Sequence, residues 1–136
     1  MKRFAIAGLL AFSLATSTSV PAEGPGDTIE GVISSQIDAL LADDFSTAFS
    51  FASPMIKSLF RTPDQFGAMV RNGYPMVWRP ADVRFGALQE FGDIRVQTVF
   101  LTDQQGRAFE AAYEMIQTPE GWQINGVAVR EVDLGA

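Results

Sequence analysis

The sequence predicts an α+β fold in which N-terminal helices pack on a curved four-stranded antiparallel meander. Two observations support this prediction. Apolar residues recur at helical spacing in the first half of the chain, and the second half contains four runs in which apolar and polar residues alternate. Short turn motifs separate these runs, so each run is expected to pair with the next one along the chain.

The longest predicted helix lies near the start of the globular part of the chain. Asp27 is its candidate N-cap, with Glu30 three residues later as in a capping box, and the helix is expected to end near Asp43. One side of this helix carries an apolar stripe that can cover a sheet. The stripe consists of Ile29, Ile33, Ile37, Leu40 and Leu41.

Shorter helical segments are predicted before the first strand. A second helix runs through Phe45–Ala52, and a further turn or two is expected around Pro54–Phe60. Thr62 precedes a proline and is therefore a typical N-cap for a helix that Gly73 terminates. The stretch Tyr74–Pro80, with two prolines and a tryptophan, is expected to form a structured connection into the sheet.

Four strands are predicted in the second half, and the turns between them set the expected register. The turns are a two-residue Gly92-Asp93 and two four-residue loops over 103–106 and 118–121. Glu90 is then expected to lie opposite Arg95, a favourable cross-strand pair. The predicted strands are Val83–Phe91, Ile94–Thr102, Arg107–Gln117 and Trp122–Arg130.

One face of this predicted sheet is largely apolar through all four strands. Because side chains alternate between faces along a strand, such a face is expected to lie under the long helix. Its four rows across the sheet are Phe91, Ile94, Met115 and Ile124, then Gln89, Val96, Tyr113 and Gly126, then Ala87, Thr98, Ala111 and Ala128, then Phe85, Phe100, Phe109 and Arg130.

The opposite face of the predicted sheet carries an apolar patch as well. A sheet face that meets water is normally polar, so the patch predicts a homodimer formed through this face. The alternative is that the C-terminal tail or a helix covers it. The patch consists of Val99, Leu101, Ala112, Ile116, Val127 and Val129, with Glu110 beside them.

Residues 1–22 are expected to be a secretory signal peptide, and residues 23–136 a single domain. The segment starts with two basic residues, continues through an apolar run over Phe4–Leu14, and ends in small residues before Glu23. An apolar run of this length is well short of the ~20 residues that span a bilayer. The mature protein is therefore expected to be periplasmic or secreted, without a membrane anchor.

The composition excludes several kinds of site. Removing residues 1–22 takes away Lys2 and Arg3 and no acidic residue, so the formal charge changes from −6 to −8. An acidic surface of this kind repels nucleic acid. The chain has no cysteine and no histidine, so disulfides, the usual zinc, copper or haem ligands, and Ser-His or Cys-His nucleophiles are excluded. No metal site and no cofactor are expected.

Three segments resemble a known fold. Asp44–Phe49 after the first helix, Phe66–Pro75, and the closing Gly121–Val127 are similar to the nuclear-transport-factor-like, cystatin-like cone, and more narrowly to a bacterial family called domain of unknown function 4864. The resemblance covers about Thr28–Val129. It implies the cone fold but no activity, because the superfamily holds isomerases, dehydratases and polyketide cyclases as well as non-catalytic binding or dimerisation modules.

The candidate site is a trough in the middle of the predicted covered face. The row Ala87, Thr98, Ala111 and Ala128 has small side chains, and the aromatic residues Phe85, Phe100, Phe109 and Tyr113 would form its walls. A trough of this kind suits a small apolar ligand held by a few polar groups. The alternative is that small residues let the helix sit close to the sheet. Candidate ligand-binding residues are Gln89, Thr98, Tyr113, Arg130 and, at the mouth, Trp78.

Three functional hypotheses follow. The first is a non-enzymatic module that binds a small apolar or amphipathic ligand or a protein partner. The second is a homodimeric structural or accessory domain without a ligand. The third is a small acid–base isomerase, dehydratase or cyclase, which would need a carboxylate inside the cone near Tyr113. No catalytic residue is predicted, because the register points Glu90, Glu110 and Glu114 to the opposite face.

Overall fold

A computed structural model describes residues 28–133 of the chain. Five helices precede an antiparallel sheet of four strands in the order β1-β2-β3-β4, which confirms the predicted α+β meander. The predicted signal peptide and the candidate cap Asp27 lie outside the described residues. The elements are α1 (Ile29–Leu41), α2 (Phe45–Ser50), α3 (Pro54–Phe60), α4 (Pro63–Gly73), α5 (Pro75–Trp78), β1 (Asp82–Phe91), β2 (Ile94–Thr102), β3 (Ala108–Thr118) and β4 (Gly121–Val132).

The long helix α1 supplies the helical side of the core. Thr28 is its N-cap and accepts a hydrogen bond from the Gly31 backbone N–H at 2.8 Å, so the predicted cap Asp27, with Glu30 as its capping box, is wrong by one residue. Its apolar stripe is buried, as the helical period predicts, except that Leu41 at the end of the helix is exposed. The buried apolar residues of the whole helix are Ile29, Val32, Ile33, Ile37, Ala39 and Leu40.

The shorter helices begin at polar caps that the sequence signals. The Asp44, Ser53 and Thr62 side chains accept hydrogen bonds from the first turns of α2, α3 and α4. Pro54 and Pro63 stand at the first helical positions, where a missing N–H costs nothing. The predicted segments around Pro54–Phe60 and from Thr62 to Gly73 are confirmed, and the predicted connection Tyr74–Pro80 contains the single turn α5.

The predicted register between β2 and β3 is wrong by one residue. The loop has three residues rather than four, because the Asp103 backbone N–H donates to the Arg107 carbonyl at 2.9 Å and Thr102 pairs with Ala108. The Asp103 carboxylate accepts hydrogen bonds from the Gln105 and Arg107 backbone N–H groups, at 2.9 and 2.8 Å. A three-residue hairpin loop with a left-handed glycine, here at 106 with φ 82°, is a common alternative to the four-residue loop.

Two bulges change the register elsewhere in the sheet. Next to the β1–β2 and β3–β4 turns the pairs are as predicted. They include Glu90 opposite Arg95, and these two side chains also form an ion pair at 3.5 Å. Beyond Leu88 in β1 and beyond Ile124 in β4, an irregularity shifts the pairing. A bulge of this kind moves the following residues to the other face of the sheet, and no turn motif signals it in the sequence.

These corrections redistribute the side chains of β2 between the two faces. Val99 and Leu101, which the sequence analysis assigned to an outer patch, are fully buried in the core. Val127 and Val129 are partly buried and pack against the same core. Of the predicted outer patch, Ala112 and Ile116 stay on the outer face, and the shifted register places Ile94, Val96 and Phe100 there beside them. The patch therefore changes its members, and the homodimer stays a prediction. The row that contains Ala111 is lined by Val99 and Val129, so the predicted trough of small residues is also absent.

Candidate functional site

A cavity of about 350 Å³ opens between the helices and the inner edge of β4. Its helical walls come from α1, α3, α4 and the connection to β1. They are Gln36, Ile56, Leu59, Phe60, Phe66, Met69, Val70, Tyr74 and Val77. The side toward the sheet is formed by Ala52, Ile124, Gly126 and Val127. None of these lining residues carries a formal charge, so the cavity offers an almost entirely apolar surface.

Helix α3 forms the outer wall of the cavity and is the helix least buried in the fold. It contains no buried residue, and Leu59 is 67% exposed although it lines the cavity. Ile56 and Phe60 are partly buried and pack against the core. A helix of seven residues that buries so little surface is not stable by itself, so its ends must hold it in place.

The N-terminal end of α3 is fixed to the edge strand β4. Ala52 forms a parallel bridge with Ile124, and the Ser53 backbone N–H donates to the Ile124 carbonyl at 2.8 Å. The buried Ser53 hydroxyl donates to Asn125 Oδ1 at 2.7 Å and accepts from the Ile56 backbone N–H at 3.3 Å. Asn125 is the extra residue of the β4 bulge, and its amide Nδ2 donates to Glu114 at 2.8 Å. The bulge therefore holds this wall against the sheet.

The C-terminal end of α3 is a tight turn into α4. Arg61 has φ 70° and ψ −42°, and the Thr62 backbone N–H donates to the Phe60 carbonyl at 2.8 Å. This is a γ-turn of the rare, strained hand, in a conformation that residues other than glycine seldom adopt. The turn joins α3 directly to α4, and both helices line the cavity.

Helix α2 packs closely against α4, which carries part of the cavity lining. A Cβ atom built on Gly67 would lie 2.5 Å from Phe45 Cγ, so only glycine allows this approach. The adjoining Phe66 ring lines the cavity and contacts the rings of Phe49 and Phe60, with centroids at 5.3 and 5.9 Å. The aromatic cluster gives the cavity a rigid apolar base.

Gln36 brings a buried polar group to the cavity. It is 3% exposed, and its side-chain Nε2 donates to the Ala48 carbonyl of α2 at 3.1 Å. Sequence reasoning missed this residue, although a signal was present. Gln36 stands three residues after Ile33 and four before Leu40, so a polar side chain interrupts the apolar stripe of α1.

Trp78 does not line the cavity. Its indole Nε1 donates to Asp43 Oδ1 at 2.9 Å, and the Arg79 guanidinium lies over its ring at 4.6 Å from the centroid. Arg79 also forms an ion pair with Asp43 at 3.0 Å and donates to the Leu41 carbonyl. This cluster ties the end of α1 to the start of the sheet, so the structure gives Trp78 a structural role.

Three further predicted site residues lie away from the cavity, Thr98 and Gln89 because of the register error and Arg130 because of the β4 bulge. Thr98 is on the outer face, where its methyl group lies near Gly86. Gln89 is exposed on the edge strand β1. Arg130 is exposed and forms an ion pair with Glu110. The predicted wall residue Phe100 is on the outer face too, with the Arg84 guanidinium 5.5 Å from its ring centroid. None of these four residues pairs with Tyr113 across the sheet.

Tyr113 points inward, as predicted, but it is fully buried beneath the cavity and not among its lining residues. Its hydroxyl has no hydrogen-bond partner among residues 28–133. Burial raises the pKa of this phenol well above its usual range, because the charged form loses its hydration. A carboxylate beside Tyr113, which the acid–base hypothesis requires, is not found in the described part of the chain.

Tyr113→Phe is expected to raise the free energy of unfolding at pH 7 by about 1 kcal/mol, because it removes a buried hydroxyl without a partner. In the unfolded chain the phenol ionises at about pH 10, whereas in the folded protein it stays protonated. Wild-type stability should thus fall above about pH 10, by up to about 1.4 kcal/mol per pH unit, and this contribution should be missing in the variant. Urea unfolding of both proteins at pH 7 and above about pH 10 measures this contribution to stability. An equal alkaline loss in both proteins would contradict the burial of Tyr113.

The described residues form neither a metal site nor a membrane-spanning helix. Over residues 28–133, acidic side chains do not gather in groups of three or more that could hold a metal ion. In the same range, none of the helices has the length and apolar character needed to cross a membrane.

The structural comparisons define the class of protein. A SEC-C motif containing protein from Rhodopseudomonas palustris is similar with a TM-score of 0.56 and 14% identity, over 77% of this chain and 80% of that one. An NTF-2 like protein of unknown function from Silicibacter pomeroyi has a TM-score of 0.50 and 15% identity, over 74% and 90% of the two chains. At these identities the likeness shows the fold alone, and that fold is NTF-2-like.

The family is narrower than the fold. The model of the family described as Domain of unknown function (DUF4864) matches residues 23–134, so the chain belongs to that family. No curated protein matches the chain. The predicted family and cone fold are therefore confirmed, and the family brings no assigned activity with it.

Proposed function

We propose that this protein is a non-enzymatic module that binds a small apolar or amphipathic molecule in the cavity between α3, α4 and β4. The observation that carries the proposal is the cavity itself. It is preformed, open at one side and apolar on nearly all its lining. Ligand sites have this character, with few polar groups among many apolar ones.

The cavity volume sets the size of the ligand. About 350 Å³ is within the range of small-molecule sites and a little more than twice the ~150 Å³ that holds benzene in an engineered cavity. A molecule of two fused rings, or a short alkyl chain, fits this volume. The exposed side of Leu59 on α3 offers such a molecule an apolar entrance.

The acid–base alternative is less well supported. The isomerase-type hypothesis needs a carboxylate as general base, and the lining of this cavity in the described chain contains none, although the Tyr74 phenol is there. The cavity can hold a ligand and shield it from water, which is all that the binding proposal requires. The homodimeric alternative stays a prediction.

Secretion forms part of the proposal. It rests on the order of basic, apolar and small residues in 1–22. The family match begins at residue 23, immediately after this segment, which agrees with a mature chain that starts at Glu23.

A fluorescence titration with N-phenyl-1-naphthylamine tests the binding proposal. This uncharged aromatic probe fluoresces more strongly in apolar surroundings, and each wild-type protein molecule is expected to bind one molecule of it. Ile56→Phe adds volume to the α3 wall and is expected to weaken binding at least tenfold, since the added ring occupies the cavity. Leu88→Phe is the matched control, because Leu88 is half exposed on β1 and does not line the cavity.

The two variants separate cavity binding from general surface adsorption. The proposal expects Leu88→Phe to bind as the wild type does. No saturable binding by the wild type, or an equal affinity in all three proteins, would contradict it. Melting curves of each variant establish that a change in affinity does not come from unfolding.

A further inference from the structure

We infer that the cavity selects an uncharged, mainly apolar molecule that carries a hydroxyl group, and that the Gln36 side-chain amide recognises this hydroxyl. The inference rests on the proposed binding function and names the chemical class of the ligand. Two observations carry it, the state of the Gln36 amide and the absence of charge from the cavity lining.

The Gln36 amide is held in one orientation by its contact with α2. The Ala48 carbonyl can only accept, so the amide must present its NH₂ group there, and the 3.1 Å distance fits this bond. Rotating the amide by half a turn would bring two oxygen atoms together. The orientation of Gln36 is thus set by chemistry, and its Oε1 atom is the end that points away from Ala48.

The Oε1 atom of Gln36 has an unused hydrogen-bonding capacity. Within residues 28–133, the amide makes only the bond to Ala48. In this region, two buried side-chain atoms lack a hydrogen-bond partner and are closed to solvent. They are Tyr113 Oη and Gln123 Oε1. Gln36 Oε1 is not one of them, so it keeps an accessible surface. Because the residue is 3% exposed and lines the cavity, that surface faces the cavity.

An unused amide in an apolar cavity favours a hydroxyl group. The oxygen of Gln36 accepts a hydrogen bond, and the second hydrogen of its NH₂ group can donate one, so a hydroxyl satisfies both. A carboxylate would place negative charge beside Oε1, and the lining provides no cation to balance it. Burying an unpaired charge is strongly unfavourable. Acidic ligands of the same size are therefore rejected.

Three naphthalene derivatives test this inference by equilibrium dialysis at pH 7. They are 2-naphthol, which is neutral and has a hydroxyl, 2-methoxynaphthalene, which cannot donate, and 2-naphthoate, which is charged. Wild-type protein is expected to bind 2-naphthol about five- to tenfold more tightly than 2-methoxynaphthalene, as one buried hydrogen bond allows. It is expected to bind 2-naphthoate more than about tenfold more weakly than 2-naphthol.

A variant at Gln36 assigns the discrimination to this residue. Gln36→Leu keeps the size of the side chain, so 2-methoxynaphthalene should still bind and the preference for 2-naphthol should disappear. Gln123→Leu is the matched control, because Gln123 is a buried glutamine that is not among the cavity-lining residues. It should keep the preference. The ranking of the three probes by the wild type tests the inference even where a variant folds poorly.

The outcomes separate the ligand class from the binding function. Equal affinity of the wild type for 2-naphthol and 2-methoxynaphthalene, or tightest binding of 2-naphthoate, would overturn the inference while the cavity remains a binding site. Retained preference in a folded Gln36→Leu would also overturn it. If no naphthalene derivative and no N-phenyl-1-naphthylamine binds, the proposed function fails, and the inference fails with it.

Discussion

Replacing Gly67 by alanine is expected to destabilise the protein by about 1–3 kcal/mol, the usual cost of overpacking a core contact. Gly67 is buried in α4, and an added Cβ would lie 2.5, 2.7 and 2.8 Å from three atoms of the Phe45 ring. One of these is Cγ, the ring atom nearest the backbone, which can move only if Phe45 changes its χ1 rotamer or the two helices separate. In an exposed helix the same substitution would stabilise by about 1 kcal/mol, so the contact reverses the sign.

Gly73→Ala is the matched control for this prediction. Gly73 is the last residue of the same helix, is exposed, and would place its Cβ with no other atom within 4 Å. Its substitution should leave stability unchanged or raise it by up to about 1 kcal/mol. Urea unfolding of the three proteins measures both effects. A Gly67→Ala protein as stable as Gly73→Ala would contradict the close approach of α2 and α4.

Ser53→Ala is expected to destabilise the protein by about 2 kcal/mol and to weaken probe binding in the cavity. The substitution removes the N-cap of α3, typically worth about 1 kcal/mol, and leaves Asn125 Oδ1 without the hydroxyl that donates to it at 2.7 Å. Because α3 buries little surface of its own, losing this attachment should loosen the wall that carries Ile56.

Ser58→Ala makes the same chemical change in the same helix. Ser58 is exposed in the interior of α3 and makes no hydrogen bond through its side chain within the described range, so alanine should improve helix propensity slightly. Thermal unfolding and N-phenyl-1-naphthylamine titration of both variants provide the comparison. If both serines behave alike, the attachment of α3 through Ser53 and the β4 bulge is refuted.

Much of the fold could be predicted from local chemistry in the sequence. The Thr62-Pro63 cap and the glycine turn at Gly92 act over a few residues, so their patterns are visible without the tertiary structure. The period of α1 identified the helix that covers the sheet. Each of these elements lies where the pattern indicates.

The register could not be predicted with the same certainty. The sequence 103–107 is compatible with a four-residue loop. The buried Asp103 carboxylate, however, accepts hydrogen bonds from two backbone N–H groups of the loop, and these bonds favour the three-residue form. Those hydrogen bonds, together with the one from the Arg107 side chain, hold the pKa of Asp103 below its usual range, although burial alone would raise it. One residue of slip moved Thr98 and Val99 to the opposite faces from those predicted.

The cavity was beyond the reach of sequence patterns for a different reason. It lies between α3 and β4, and its existence depends on the bulge at Asn125 and on the strained turn at Arg61. Neither feature has a motif that a single sequence displays. Gln36 is the exception, since a polar residue within an apolar stripe is visible and carries a functional hypothesis of its own.

Native mass spectrometry of the protein isolated from the periplasm of its own cells tests the binding proposal most directly. We expect the intact mass of a chain that starts at Glu23, accompanied by a second species heavier by one small neutral molecule that is lost under denaturing conditions. The Ile56→Phe protein, prepared in the same way, should lack the heavier species, and Leu88→Phe should keep it. A ligand-free wild type, or a ligand retained equally by Ile56→Phe, would contradict the proposal that this cavity binds a small molecule.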